Sequence, residues 1–270
     1  MEEKNKKDNL RISLVQAHLV WENPEKNFDN FDKELSPLQG KTDLIILPEM
    51  FNTGFSVHPS DIAESMDGPS VNYLKKKSVE LNAAIIASII IEEEAKYYNR
   101  LIYATPDGVI EYYDKKHLFR MGGEHHRFEA GTDTLVVKCK GWKIMPLICY
   151  DLRFPVWARN YYKEEQYKYD LLVYIANWPA PRSTPWKTLL QARAIENQCF
   201  VAGVNRVGED GNNLQYSGDS ALIDAKGNVI SSIKPHEVKI ETIVVRLEEL
   251  TDFRKKFHLG LDWDSFTIEN

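Results

Sequence analysis

Five short, nearly solid apolar runs set the terms on which this chain can fold. They lie in "DLIILPE" (Asp43–Glu49), "AAIIASIII" (Ala83–Ile91), "WKIMPLIC" (Trp142–Cys149), "DLLVYIA" (Asp170–Ala176) and "CFVAGVN" (Cys199–Asn205). Each is too short for a buried helix and too continuous for a strand with one wet face, so each reads as a buried strand. Such strands need cover, and amphipathic segments supply it. "NPEKNFDNFDKEL" sets Phe28, Phe31 and Leu35 at helical spacing behind Pro24, and "GPSVNYLKKKSVELNA" is a second helix. Further helices are expected to start at Pro155 and to run from Pro185 to Gln198. "LRISLVQA" (Leu10–Ala17) and "TIVVRL" add strands, and hairpins are expected at Pro106–Gly108, Lys140–Gly141 and Asp224–Asn228.

The pattern predicts an α/β (α+β) fold in which helices cover mixed sheets, with about ten to twelve strands if two sheets stack. With no repeat and no linker, residues 1–270 read as a single domain. Residues 1–9 are expected to be a solvated tail, and residues 248–270 a polar C-terminal segment. A net charge of -6 and a pI near 5.7 argue against nucleic acid or an anionic membrane as the main partner. No run reaches membrane-span length, and the N-terminus lacks the apolar stretch of a secretory signal. Cys139, Cys149 and Cys199, odd in number and widely spaced, are not a disulfide framework and suit a reducing cytoplasm.

Three ionisable residues share one context. Glu49 ends one strand, Lys115 follows another, and Cys149 ends a third. The rim beyond strand ends is where α/β sheets bind ligands. Taken singly, each has an ordinary reading as a turn glutamate, a surface lysine or a packed thiol. Taken together they compose a reaction. A thiol needs a base or a nearby cation to become a nucleophile at neutral pH; Glu49 can take its proton, and Lys115 can favour the thiolate and an oxyanion. Competing sets are weak: there is no G-x-S-x-G elbow, and the adjacent histidines of "EHH" (Glu124–His126) lack zinc-site spacing. "GVNRVGEDGN" has neither P-loop nor dinucleotide spacing and reads as a loop.

At these motifs the chain resembles the nitrilase superfamily of carbon–nitrogen hydrolases. The resemblance is carried in order by "DLIILPEMFNTGF", "YYDKKHLFRMGGEHHRFEAG", "LICYDLRFPVWAR" and "LLQARAIENQCFVAGVNRVG". It implies a four-layer α-β-β-α sandwich whose protomers pair through the helices from Pro155 and Pro185, with the C-terminal segment reaching the partner. Glu49 resembles the general base, Lys115 the oxyanion-stabilising lysine, Cys149 the nucleophile and Glu124 a second acidic residue that positions substrate and water. The backbone N–H of Tyr150 would complete the oxyanion hole, Lys116 should point away, and Asp151 with Arg153 would brace the turn. No metal or cofactor is implied.

Within the superfamily, "FRMGGEHHRFEAG" and "ANWPAPRSTPWKTLLQARAIENQ" look most like bacterial ω-amidases, which hydrolyse the terminal amide of α-keto acid amides such as α-ketoglutaramate or α-ketosuccinamate. Arg182 is the candidate partner for the substrate carboxylate, since guanidinium matches carboxylate bidentately. Phe119, His126 and Trp178 are candidate pocket walls. The alternatives are an N-carbamoyl amino acid amidohydrolase, a deaminated-glutathione amidase, an acyltransferase using the same thioester, and, in a different class, a non-catalytic binding protein that kept the fold.

Overall fold

The structure, a computed structural model, describes residues 9–268. Along the chain, β1 (Asn9–Gln16) leads to α1 (Pro24–Leu35), β2 (Leu44–Ile46), α2 (Pro69–Leu81), β3 (Ala84–Glu93), β4 (Lys96–Ala104) and β5 (Ile110–Asp114). Next come β6 (Val137–Cys139), β7 (Trp142–Ile148), the short ribbon β8 (Tyr162–Lys163) and β9 (Gln166–Tyr167), and β10 (Leu171–Ala176). They are followed by α3 (Ser183–Asn197), β11 (Phe200–Asn205), β12 (Val207–Glu209) and β13 (Gln215–Ser217). The last elements are β14 (Ala221–Ile223), β15 (Lys239–Arg246) and α4 (Leu247–Lys256).

The long strands form a six-stranded sheet, β15-β1-β2-β3-β4-β5, and a five-stranded sheet, β14-β11-β10-β7-β6. Both are mixed. The centres β1-β2-β3 and β7-β10-β11 are parallel, and the hairpin-linked edges are antiparallel. Side chains alternate between faces along each strand. Ile12, Leu14, Leu44, Ile46 and Ile86 of the first sheet therefore join Ile144, Val173, Ile175 and Ala202 of the second in one core. Their neighbours Val15, Ile45, Ile85 and Ala87 face the other way, against Phe31 and Leu35 of α1 and Val71 and Leu74 of α2. Trp186, Leu190 and Ala194 of α3 close the far side of the second sheet. The layers are α-β-β-α.

One expectation is corrected. No helix starts at Pro155: a 3-10 turn over Cys149–Arg153 gives way to turns and then to the β8–β9 ribbon. The cause is local. Glu164 and Glu165 both take positive φ, as a two-residue hairpin turn demands, and the Asn160 side chain bonds Tyr169 and Asn197 instead of continuing a helix. The tail expected over residues 1–9 lies outside the described residues except for Asn9, which is paired with Arg246 in β1. The polar C-terminal segment contains the helix α4. Among the described residues, no helix is long and apolar enough to cross a membrane.

Candidate active site

The strand ends bring Glu49, Lys115 and Cys149 to one rim. Beyond β2 the chain stays tied to β3, with Leu47 N–H on Ile86 O at 2.9 Å and Phe51 N–H on Ser88 O at 3.2 Å, so Glu49 is carried on a rigid extension. Lys115 follows β5 directly, its N–H on Asn99 O at 3.0 Å. Cys149 follows β7 with φ of +44°, a left-handed conformation that costs a non-glycine residue energy and persists only when its surroundings enforce it. Asp151 is part of that enforcement. Buried, it accepts the Ile148 N–H at 3.0 Å, the Tyr113 hydroxyl at 2.8 Å and the His117 N–H at 3.0 Å.

All three residues are buried, with Glu124 beside them. Lys115 Nζ lies 2.9 Å from Glu49 Oε1 and 3.0 Å from both oxygens of Glu124. Glu124 is turned inward by the one-turn 3-10 segment Glu124–His126, which starts after Gly123 at φ of +76°. Two residues that sequence reasoning missed complete the cluster. Asn99 Nδ2 donates to Glu49 Oε1 at 2.8 Å and to Glu124 Oε1 at 3.1 Å. Asn177, one residue past β10, donates its N–H to Glu49 Oε2 at 2.7 Å and its Nδ2 to Glu49 O at 2.6 Å. The rule that singled out charged residues at strand ends would have found Asn177 had it been extended to amides. Asn99 lies within β4 and carried no such signal.

Two carboxylates and one ammonium, all out of water, leave an excess of negative charge. Burial first and the Glu49 charge second push the Cys149 thiol well above its usual range, despite the opposing Lys115 ammonium. The resting residue is therefore a thiol, and Lys115 does not hold it as a thiolate. Burial also raises the Glu124 carboxyl, with Lys115 opposing and Glu49 adding to the rise. Lys115 is held above its usual range: its burial favours the neutral amine, but Glu124 and Glu49 outweigh it and keep the ammonium charged.

Lys115, Cys149 and Asn177 of this cluster floor a cavity of about 320 Å³, whose walls include Phe119, Tyr150, Arg153, Trp178 and Arg182. His126 is not brought there. It lines a separate cavity with His58 and Tyr97, because a chain that turns Glu124 inward sends the residues after it toward solvent. Arg153 does not brace the turn with Asp151; its guanidinium stacks 4.9 Å from the Trp178 ring in the cavity wall. Arg182 lies 5.5 Å from the Phe119 ring, one nitrogen on Met121 Sδ. Among the described residues, neither arginine pairs with a carboxylate, and no three His, Cys, Asp or Glu side chains converge as a metal site. Lys116 points away, its ammonium 5.1 Å from the Trp157 ring. The arrangement can deprotonate a thiol during attack, hold an oxyanion and return a proton to a leaving group.

Comparison with known proteins agrees with this chemistry. The carbon–nitrogen hydrolase family profile matches residues 11–255. The chain is 42% identical to omega-amidase YafV of Escherichia coli (strain K12) over 259 residues, 96% of this chain and 98% of that one. It is 34% identical to 2-oxoglutaramate amidase of Bacillus subtilis (strain 168), covering 82% of this chain and 85% of that one. Among solved structures, XC1258 from Xanthomonas campestris, a CN-hydrolase superfamily protein with an arsenic adduct in its active site, superposes with a TM-score of 0.95 at 48% identity. That match covers 97% of this chain and 99% of that one.

Proposed function

The chain belongs to the carbon–nitrogen hydrolase family and is an amidohydrolase; on that premise we propose that it is an ω-amidase, releasing ammonia from the terminal amide of small α-keto acid amides. One observation carries the reading. A thiol and an ammonium, backed by two carboxylates, line a cavity of about 320 Å³ that also holds two arginines with no carboxylate partner among the described residues. That volume suits a small substrate, and the arginines suit a carboxylate at its far end. The relatives named for ω-amidase and 2-oxoglutaramate amidase activity support the same substrate class.

Glu49 takes the Cys149 proton as sulfur attacks the amide carbon. The carbonyl oxygen, now anionic, is held by the Lys115 ammonium and the Tyr150 backbone N–H. Glu49 then gives the proton to nitrogen, the C–N bond breaks, and ammonia leaves a thioester on Cys149. Glu49 deprotonates a water that Glu124 helps to position. The water adds to the thioester, the C–S bond breaks, and the carboxylate product leaves with the thiol restored. Arg153 is the better carboxylate anchor, because its guanidinium lies over the Trp178 ring with no carboxylate partner among the described residues, whereas Arg182 is engaged with Met121. A single hydrolase domain acting as a cytoplasmic homodimer completes the proposal. Exposed Val156, Tyr161, Phe266 and Ile268 around one groove give such a dimer an apolar surface to bury.

The test is ammonia release from α-ketoglutaramate and succinamate, with N-carbamoyl amino acids and deaminated glutathione as competing arms. Turnover of the competitors alone contradicts the substrate assignment, and equal, slow alkylation of all three cysteines by iodoacetamide favours the binding-protein alternative.

A further inference from the structure

We propose that Asn177 reads the leaving nitrogen: its side-chain oxygen accepts an N–H of the substrate's primary amide and makes the site selective for amides over esters of the same acid. The inference rests on the amide chemistry proposed above. Asn177 is 5% exposed and lines the same cavity as Cys149 and Lys115. Its amide orientation is fixed by its partners. Nδ2 donates to the Glu49 carbonyl at 2.6 Å, and a flipped amide would set two acceptors against each other. Oδ1 is consequently the atom left over, buried and without a partner among the described residues. Unpartnered oxygens also occur on Asn52 and Asn99, but neither residue lines the cavity.

The reaction says what should meet this oxygen. The leaving atom must come within hydrogen-bonding reach of Glu49 to receive its proton. Asn177 is bonded to Glu49 through both its backbone N–H and its side chain, so Oδ1 stands beside that point. An acceptor there matches an N–H and opposes the lone pairs of an ester oxygen. In the tetrahedral intermediate, holding one N–H turns the nitrogen lone pair toward the Glu49 proton. The C–N electron pair departs with nitrogen, nitrogen takes that proton, and Asn177 exchanges none.

The experiment measures kcat/KM of the full-length protein on two matched pairs, succinamate with monomethyl succinate and butyramide with methyl butyrate. Each pair acylates Cys149 with the same acyl group. In Asn177→Ala and Asn177→Ser the amide-to-ester ratio should fall about tenfold on loss of one hydrogen bond. The ratio is taken within one preparation, so the folded fraction cancels, and N177S carries the test if N177A does not accumulate. An unchanged ratio while succinamate is still cleaved overturns the inference and leaves Asn177 as a brace for Glu49. A falling ratio on the butyramide pair with succinamate untouched supports the inference and overturns only the carboxylate substrate. A wild type that cleaves the esters and neither amide overturns it outright.

Discussion

Two buried ion clusters in this molecule are built for opposite ends. Arg254 of α4 pairs with Asp170 at 2.7 Å and donates its other nitrogens to Gln198 O at 2.8 Å and Tyr169 O at 2.9 Å, its guanidinium lying 3.9 Å from the Tyr167 ring. One positive charge meets one negative, and every guanidinium nitrogen is used. At the candidate active site Lys115 faces Glu49 and Glu124 together, Asn177 keeps an oxygen unmatched among the described residues, and Cys149 sits at positive φ with its thiol pushed up. The first cluster fastens the C-terminal helix to the second sheet. The second is left unbalanced, and such imbalance in a cavity is the mark of chemistry.

Substitutions should separate the two. Cys149→Ala should abolish ammonia release while leaving the urea midpoint close to wild type. Glu49→Gln should lower kcat/KM by about 10² to 10⁴, the usual worth of a positioned base. Because the Glu49 charge helps to raise the Cys149 thiol, the pH profile of its alkylation should move to lower pH in the same variant. A shift to higher pH contradicts the charge balance described here. Arg254→Ala should instead destabilise by about 3–5 kcal/mol, since it leaves Asp170 buried and unpaired, with kcat per folded molecule nearly unchanged. A large loss of kcat there would erase the contrast.

Smaller effects sharpen it. Arg153→Leu should raise KM for succinamate by about tenfold or more and leave butyramide unaffected, a charge-assisted hydrogen bond being worth about 1.5–3 kcal/mol; the reverse pattern would return the carboxylate to Arg182. Glu124 gives a stability signature. Its folded carboxyl is raised above the ordinary 4.5, so its contribution is fully present below that value and is lost as pH rises through the folded one. The urea midpoint of Glu124→Gln should therefore gain on wild type as pH rises across that window, and a slope of opposite sign contradicts the assignment.

How much of this was legible beforehand depends on the kind of signal. The buried strands were plain, because sheets covered on both faces need solid apolar runs, and Glu49, Lys115 and Cys149 stood out as charge or thiol at their ends. Glu124 was reached by resemblance alone. Asn99 was silent and Asn177 was passed over at its strand end, since an uncharged amide acquires its role from the partners that three-dimensional packing supplies. Arg153 was taken for a brace because sequence cannot tell a guanidinium bonded to Asp151 from one lying over the Trp178 ring. The missing helix after Pro155 failed for a similar reason, as Asn160 bonds distant backbone and takes the chain out of helical geometry.

Catalysis as proposed turns on Cys149 carrying the acyl group of a small amide. The direct measurement is to mix the protein with succinamate, quench in acid, and weigh the intact protein and its cysteine peptides while assaying ammonia. The account predicts one succinyl group on Cys149, ammonia released in step with succinate, and neither in Cys149→Ala. Ammonia release that persists in Cys149→Ala, or a succinyl group found on Cys139 or Cys199 instead, would contradict it.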